Sequence, residues 1–366
     1  MTKKIYLLIL GEHLGGVEIR FLRIFKVLTE SSLPINLIFC KGYLEKVVSF
    51  DEFKDFEYYN NKIKFIEPFE FYKKKSFNVI YSHVSKIIES DAVIHFNQNF
   101  PASYLGKISH KTIYTFNENS LSRFSFKDYI FFFLILLRAN AIDILDPIIY
   151  SKYKNLFFFK KNFHKTKAGS LNLNDFELNL NNKQNSIVFS GRFNEQKQVL
   201  LYVNSIDYLS QYLIDQNIIN IEFYVIGDGP LTNVVNKKIA SLREKGITIH
   251  TGYMKDYKKI IETSKIFLSI QKYNNYPSNS LMEAMAAGNI PVVTNNGSTK
   301  LLAKEEFSFY VPEEFTPQDL SSSVSSIFKL NQTDYEEKAK LARKTINDEF
   351  NVNLAAKYYT DIYKYL

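Results

Sequence analysis

The chain has 366 residues, 46% of them hydrophobic, enough apolar material for a core in each half; at ~100–200 residues per domain it reads as two domains, and disorder as a class is excluded. Lys and Arg number 46 against 38 Asp and Glu, a net charge of +8 that suits phosphates or an anionic membrane surface, or simply reflects a Lys-rich composition. No dense basic block and no aromatic RNA-binding signature is present, so nucleic acid is not an expected partner.

The chain opens with Met1-Thr2-Lys3-Lys4 and an apolar run over residues 5–10, followed by Gly11-Glu12-His13 rather than a small-residue cleavage site. A first buried strand is expected there rather than a secretory leader. Further strands are expected at 35–40, 92–96 and 112–115, and helices at about 17–29 and 126–139. The single cysteine, Cys40, closes an apolar run and is expected in the core. The longest apolar run, Tyr129 to Leu137, has nine residues, well short of the ~20 that span a bilayer. The segment around it, 124–137, reads as a helix buried in the first domain or, with Lys73-Lys74-Lys75, as a surface that docks on an anionic membrane. Residues 171–185, rich in Asn and Leu, are expected to connect the domains.

The second half alternates short apolar strands with amphipathic helices, as parallel α/β sheets do. Strands are expected at 186–190, 221–226, 247–251, 266–270 and 291–294. Helices are expected at 199–213, 231–245, 280–287, 334–350 and 354–366, with Gly288 just past the end of the third.

In open α/β sheets ligands bind beyond the carboxyl ends of the strands, where four turns carry suitable residues. The first is Gly11-Glu12-His13-Leu14-Gly15-Gly16, in which Gly15 and Gly16 allow close approach of a ligand to backbone amides. His13 in that turn is a ligand contact or a solvated loop residue. It lacks the Gly-x-Gly-x-x-Gly pattern of dinucleotide binding. The second, Gly191-Arg192-Phe193-Asn194-Glu195-Gln196-Lys197, offers two cations five apart that can converge on a diphosphate, or that are surface charge. The third, Gly227-Asp228-Gly229-Pro230, is a tight turn with Pro230 expected at the first helical position.

The fourth runs from Tyr273 through Asn275, Pro277, Ser278, Asn279 and Ser280 to Glu283 and Gly288. A polar loop entering a helix N-terminus presents free N–H groups to phosphate oxygens. Ser280-x-x-Glu283 also fits a capping box, so Glu283 is a helix cap or a ligand carboxylate on spacing alone.

These motifs, in this order and concentrated in residues 186–294, resemble the family 4 glycosyltransferases of the retaining, two-Rossmann-domain type. The first half matches by layout and by Gly15-Gly16. The resemblance implies a GT-B architecture: two Rossmann-like parallel-sheet domains facing a central cleft, with the last helix packing back on the first domain. The corresponding divisions are 1–170 for the acceptor, 171–350 for the donor, and 351–366 for the returning helix. It implies that Arg192, Lys197 and Glu283 are the catalytic set, the two cations on the donor diphosphate and the carboxylate accepting from ribose hydroxyls. Gly15, Gly16, Asn275, Pro277, Ser278, Asn279 and Ser280 would then line the donor, and His13, Asn117 and Glu118 the acceptor side.

The implied reaction moves a sugar, with retention, from a nucleotide-diphosphate donor, by family habit a UDP-sugar. The acceptor would be a glycan or a lipid-linked glycan, as in bacterial surface polysaccharide synthesis. No metal or other cofactor is expected. A cytoplasmic place is expected, peripheral at the inner face of the membrane. Three positions depart from the family. Asn275 stands where the family has an earlier glutamate, Asn117 where it often has a histidine, and Lys300 near an acidic position. They motivate an alternative: a catalytically degenerate subunit that binds nucleotide or glycan and supports a partner enzyme.

Overall fold

The computed structural model describes residues 3–9, 15–68, 71, 77–96, 110–116, 139–155, 163–167, 169–274 and 276–366. The chain divides into two compact units: Met1–Ser170 with Val352–Leu366, and Leu171–Asn351.

The first unit holds a seven-stranded sheet. Its strands are β1 (Ile5–Ile9), β2 (Ile35–Cys40), β3 (Ile63–Ile66), β4 (Val93–Phe96), β5 (Lys111–Phe116), β6 (Ala141–Ile144) and β7 (Phe163–Lys165). Their order is β3-β2-β1-β4-β5-β6-β7, and every pairing is parallel. Because both faces are covered, β1 is buried at every position, as a central parallel strand must be. Its odd positions Ile5, Leu7 and Ile9 join one core with helix α1 (Gly16–Thr29), while Tyr6 and Leu8 join the opposite one. Cys40 is buried at the end of β2. Residues 126–138 of the expected helix and the segments 124–137 and 73–75 lie outside the described residues. Among the described residues no helix is long and apolar enough to cross a membrane.

The closing helix, Val352–Lys364, buries Val352, Ala355, Ala356, Tyr359, Ile362 and Tyr363, a three-and-four spacing that makes one apolar stripe, and lies against α1. Beneath it runs a buried polar chain. Tyr363 O–H meets His95 Nδ1 at 2.7 Å, His95 Nε2 meets Thr115 Oγ1 at 2.7 Å, and Thr115 donates to Asp143 Oδ1 at 2.7 Å. Thr166 and Tyr359 donate to the other carboxylate oxygen at 2.8 and 2.9 Å, and Arg20 donates to the Tyr359 hydroxyl at 3.1 Å. With Thr115 donating onward, His95 must donate from Nε2 and accept at Nδ1, which fixes its neutral tautomer. Burial agrees: it pushes His95 down to about 3, and pushes Asp143 up against the lowering effect of its three hydroxyl donors and Arg20.

The second unit holds a six-stranded parallel sheet: β8 (Gln184–Ser190), β9 (Glu222–Ile226), β10 (Ile249–Gly252), β11 (Ser264–Ser269), β12 (Ile290–Thr294) and β13 (Phe309–Val311). Their order is β10-β9-β8-β11-β12-β13. The helices that matter for the site are α2 (Val199–Asp215), α3 (Thr232–Glu244) and α4 (Asn279–Ala286). The segment from Leu171 is part of this unit: Phe176 and Leu180 are buried, and Arg343 Nη1 donates to the Phe176 carbonyl at 3.0 Å.

Two helix starts differ from the sequence expectation. Pro230 is not the first helical residue, because α3 begins at Thr232 with Leu231 as its cap position. Instead Thr232 Oγ1 accepts from Gly229 N–H at 2.8 Å, closing the turn ahead of the helix. The box Ser280-x-x-Glu283 does not form either. Ser278 holds the cap position, its carbonyl accepting from Met282 N–H at 3.0 Å, so Glu283 is the fifth helical residue and not the third. Helix α4 ends before Gly288, which has φ +81° as expected past a helix end.

Candidate functional site

In the second sheet the chain leaves β8 outward to β9 and β10, then returns to the other side of β8 with β11. The strand order therefore reverses between β8 and β11, the topological switch point where open α/β sheets bind ligands. Both flanking strands point their carboxyl ends to the same edge, and their following loops carry the expected residues.

The loop after β8 is anchored by Phe193, fully buried in the core, while its neighbour Arg192 is exposed. Three backbone bonds tie this loop to the turn after β9: Gly191 N–H to Ile226 O at 3.0 Å, Phe193 N–H to Asp228 O at 2.7 Å and Leu231 N–H to Phe193 O at 3.0 Å. So close an approach requires glycine. A Cβ on Gly227 would lie 2.0 Å from the Gly191 carbonyl oxygen, and one on Gly229 2.6 Å from that of Phe193, at φ +140° and +154°. The sequence glycines of Gly227-Asp228-Gly229 thus exist to seat the Arg192 loop.

Asn194 caps the next turn, accepting from Lys197 N–H at 3.0 Å, and Lys197 reaches across to the loop after β11. Its ammonium donates to Gln271 Oε1 at 2.9 Å, and the two loops also join through Lys272 N–H to Gln196 O at 2.9 Å. Burial holds the Lys197 ammonium down to about 8. The loop after β11 is braced in turn by the turn after β12: Ser298 N–H donates to Asn274 Oδ1 at 3.0 Å. The same loop leads through Tyr276-Pro277, a cis peptide, to buried Ser278 and the start of α4. Ser280 Oγ lies 3.4 Å from the Ser190 carbonyl, which sets the N-terminus of α4 against the end of β8. Glu283, one turn on from Ser280 and on the same face, is half-buried.

The structure therefore brings Arg192, Lys197, Pro277, Ser278, Asn279, Ser280 and Glu283 to one edge of the second unit. Gly15 and Gly16 belong to the first unit. They cap and begin α1 just beyond β1, at that sheet's own reversal between β1 and β4, and Gly15 N–H donates to Glu18 Oε2 at 3.1 Å. His13, Asn117, Glu118 and Asn275 lie outside the described residues. Lys300 is exposed and paired with Glu305 at 2.5 Å. Sequence reading missed Gln271, 2% exposed and the acceptor for Lys197. Its one signal was a polar residue directly behind the apolar run 266–270. Among the described residues no group of His, Cys, Asp and Glu could hold a metal ion.

An exposed guanidinium and a half-buried ammonium on the loop after β8, with a helix N-terminus set against the end of the same strand, suit a multiply charged anion such as a diphosphate. Residues 172–347 match the family model of glycosyl transferases group 1. No curated protein matches the sequence. Among solved structures, HepE from Anabaena, in complex with UDP and glucose, aligns over 100% of both chains with a TM-score of 0.76 at 13% identity. A glycosyltransferase from Rickettsia africae aligns over 99% of this chain and 98% of its own, at 0.74 and 18%. TarM from S. aureus, in complex with fondaparinux, alpha-GlcNAc-glycerol and UDP, aligns over 99% of both, at 0.72 and 11%. The fold is that of the GT-B glycosyltransferases. The match to the glycosyl transferases group 1 model falls within the second unit.

Proposed function

We propose that the protein transfers a sugar from a nucleotide-diphosphate donor, a UDP-sugar, to a glycan or lipid-linked acceptor. The second unit then serves as the donor domain and the first as the acceptor domain. The observation that carries this reading is the crossing of Lys197 from the loop after β8 to Gln271 beyond β11, beside the N-terminus of α4. In the reaction the bond between the anomeric carbon and the diphosphate oxygen breaks, and a bond from the acceptor hydroxyl oxygen forms with retention. The hydroxyl proton leaves with the nucleotide diphosphate. Arg192 and Lys197 stabilise the charge that grows on that leaving group, without a metal ion. Glu283 accepts hydrogen bonds from the ribose hydroxyls. That the box at Ser280 does not form supports this role over capping. The neighbours' complexes with UDP support the choice of uracil. The net charge of +8 supports a peripheral place at the anionic inner face of a membrane, near lipid-linked acceptors.

The test is Glu283→Gln assayed for melting temperature and for turnover of a panel of UDP-, GDP- and ADP-sugars. The expected result is a melting temperature near that of the parent with most turnover lost, because an amide halves the acceptor capacity and removes a charge-assisted bond. Parent-like turnover in the variant would refute the ribose assignment. A parent protein that binds nucleotide but consumes no donor would point to a binding subunit instead.

A further inference from the structure

We propose that Gln271 is the positioning residue of Lys197: it holds the ammonium at the switch point through a neutral acceptor and so leaves the positive charge uncompensated. This rests on the reading of Lys197 as a ligand of the donor diphosphate. An ammonium only donates, so the atom of Gln271 facing it is the carbonyl oxygen, and one of the three N–H groups is spent on it. Two remain for an anion.

The acceptor is held rigidly. Gln271 is buried, and its backbone is gripped from β12 and the turn beyond it. Its N–H donates to Thr294 Oγ1 at 3.1 Å, and its carbonyl accepts from Thr294 Oγ1 at 2.9 Å and Asn296 Nδ2 at 2.7 Å. Thr294 is itself fully buried at the end of β12. The ammonium is thereby fixed relative to three strand ends, β8, β11 and β12. A carboxylate at the same place would hold Lys197 as firmly, but the pair would be neutral and a diphosphate would meet a second anion. An aliphatic side chain would leave the ammonium half-buried with no acceptor. Only a neutral acceptor gives both orientation and charge.

Calorimetric titration of UDP into the parent, Q271E, Q271L, K197A and K197A/Q271L tests this. Q271E should bind UDP about tenfold more weakly or worse, as expected for a cancelled charge-assisted contact, while melting no lower than the parent. Q271L should also weaken binding, and in the K197A background it should have no further effect, since the amide acts only through the lysine. Parent-like UDP affinity in both Q271E and Q271L, with K197A weakened, would overturn the role of Gln271 alone. So would an equal loss from Q271L with and without Lys197. Parent-like affinity in K197A would instead overturn the assignment of Lys197 to the diphosphate.

Discussion

The Tyr359 hydroxyl donates to Asp143 Oδ2 at 2.9 Å, joining residues 216 positions apart. Through it the closing helix is fastened to β6 by a buried, charge-assisted bond as well as by its apolar stripe. Tyr359→Phe keeps the ring and removes the hydroxyl, which is both the donor to Asp143 and the acceptor for Arg20. It should lower stability by roughly 1–3 kcal/mol, the cost of depriving a buried charged group of a partner. Chemical denaturation checks this, and parent-like stability would show that the carboxylate does not need Tyr359.

The same chain makes stability depend on pH through His95. In the unfolded chain its imidazole takes a proton near its ordinary value of 6.5, but in the fold only near 3. Between those values the unfolded state binds the extra proton, so stability falls as pH falls through the window from 6.5 toward 3. The slope is about 1.4 kcal/mol per pH unit for one such group. His95→Gln removes that group. The gap in unfolding free energy between parent and variant should change with this slope between pH 6 and 5, and a gap constant with pH would refute it.

Lys197 sets a second pH dependence, on the ligand side. Burial brings its ammonium down to about 8, and the charged form is the one that meets a diphosphate. Affinity for UDP should therefore be steady below pH 7 and fall up to about tenfold per pH unit above pH 8. Lys197→Ala should bind more weakly and lack this limb. Calorimetry across pH 6.5–9.5 reads both.

Gly227→Ala should damage the site without touching a charge. Its Cβ would stand 2.0 Å from the Gly191 oxygen, at a φ of +140° that side chains avoid. The strain is on the order of 1–3 kcal/mol, and relief requires the Arg192 loop to move. The expected outcome is a lower melting temperature together with weaker UDP binding. Gly246→Ala, at a positive φ with open space around it, should lose stability but keep UDP affinity. Equal UDP affinity in the two variants would show that the seat of the Arg192 loop does not matter.

Much of the sheet was legible because buried parallel strands are continuous apolar runs: residues 35–40 form β2 as read, and each strand read in the second half exists with ends shifted by a few residues. Interrupted runs were missed. β6 contains Asp143, whose charge is absorbed by three hydroxyls and Arg20 from distant segments, and β3 alternates with Lys64. The helix Pro317–Phe328 hides behind a serine-rich face, although Thr316 and Asp319 form the capping box that a closer reading would find. At α4 the run Ser278-Asn279-Ser280 offers three capping residues in a row, and spacing alone does not tell that Ser278 is the one at the cap position. The site showed a similar division. The cations and the helix start were visible as motifs, whereas Gln271 matters only because β8 and β11 become neighbours.

The two units are not simply consecutive. The first is built from both flanks of the second, and Leu366 O accepts from Lys3 Nζ at 2.7 Å and from Lys111 Nζ at 2.5 Å. The ends of the second meet as well, Leu171 pairing with Asn351 in a parallel bridge. Topologically the 171–351 segment is a cassette inserted into a host fold, and its paired ends make a natural excision point. A protein engineer has in Leu171 and Asn351 two neighbouring cut points that leave intact the sheet that holds Lys197.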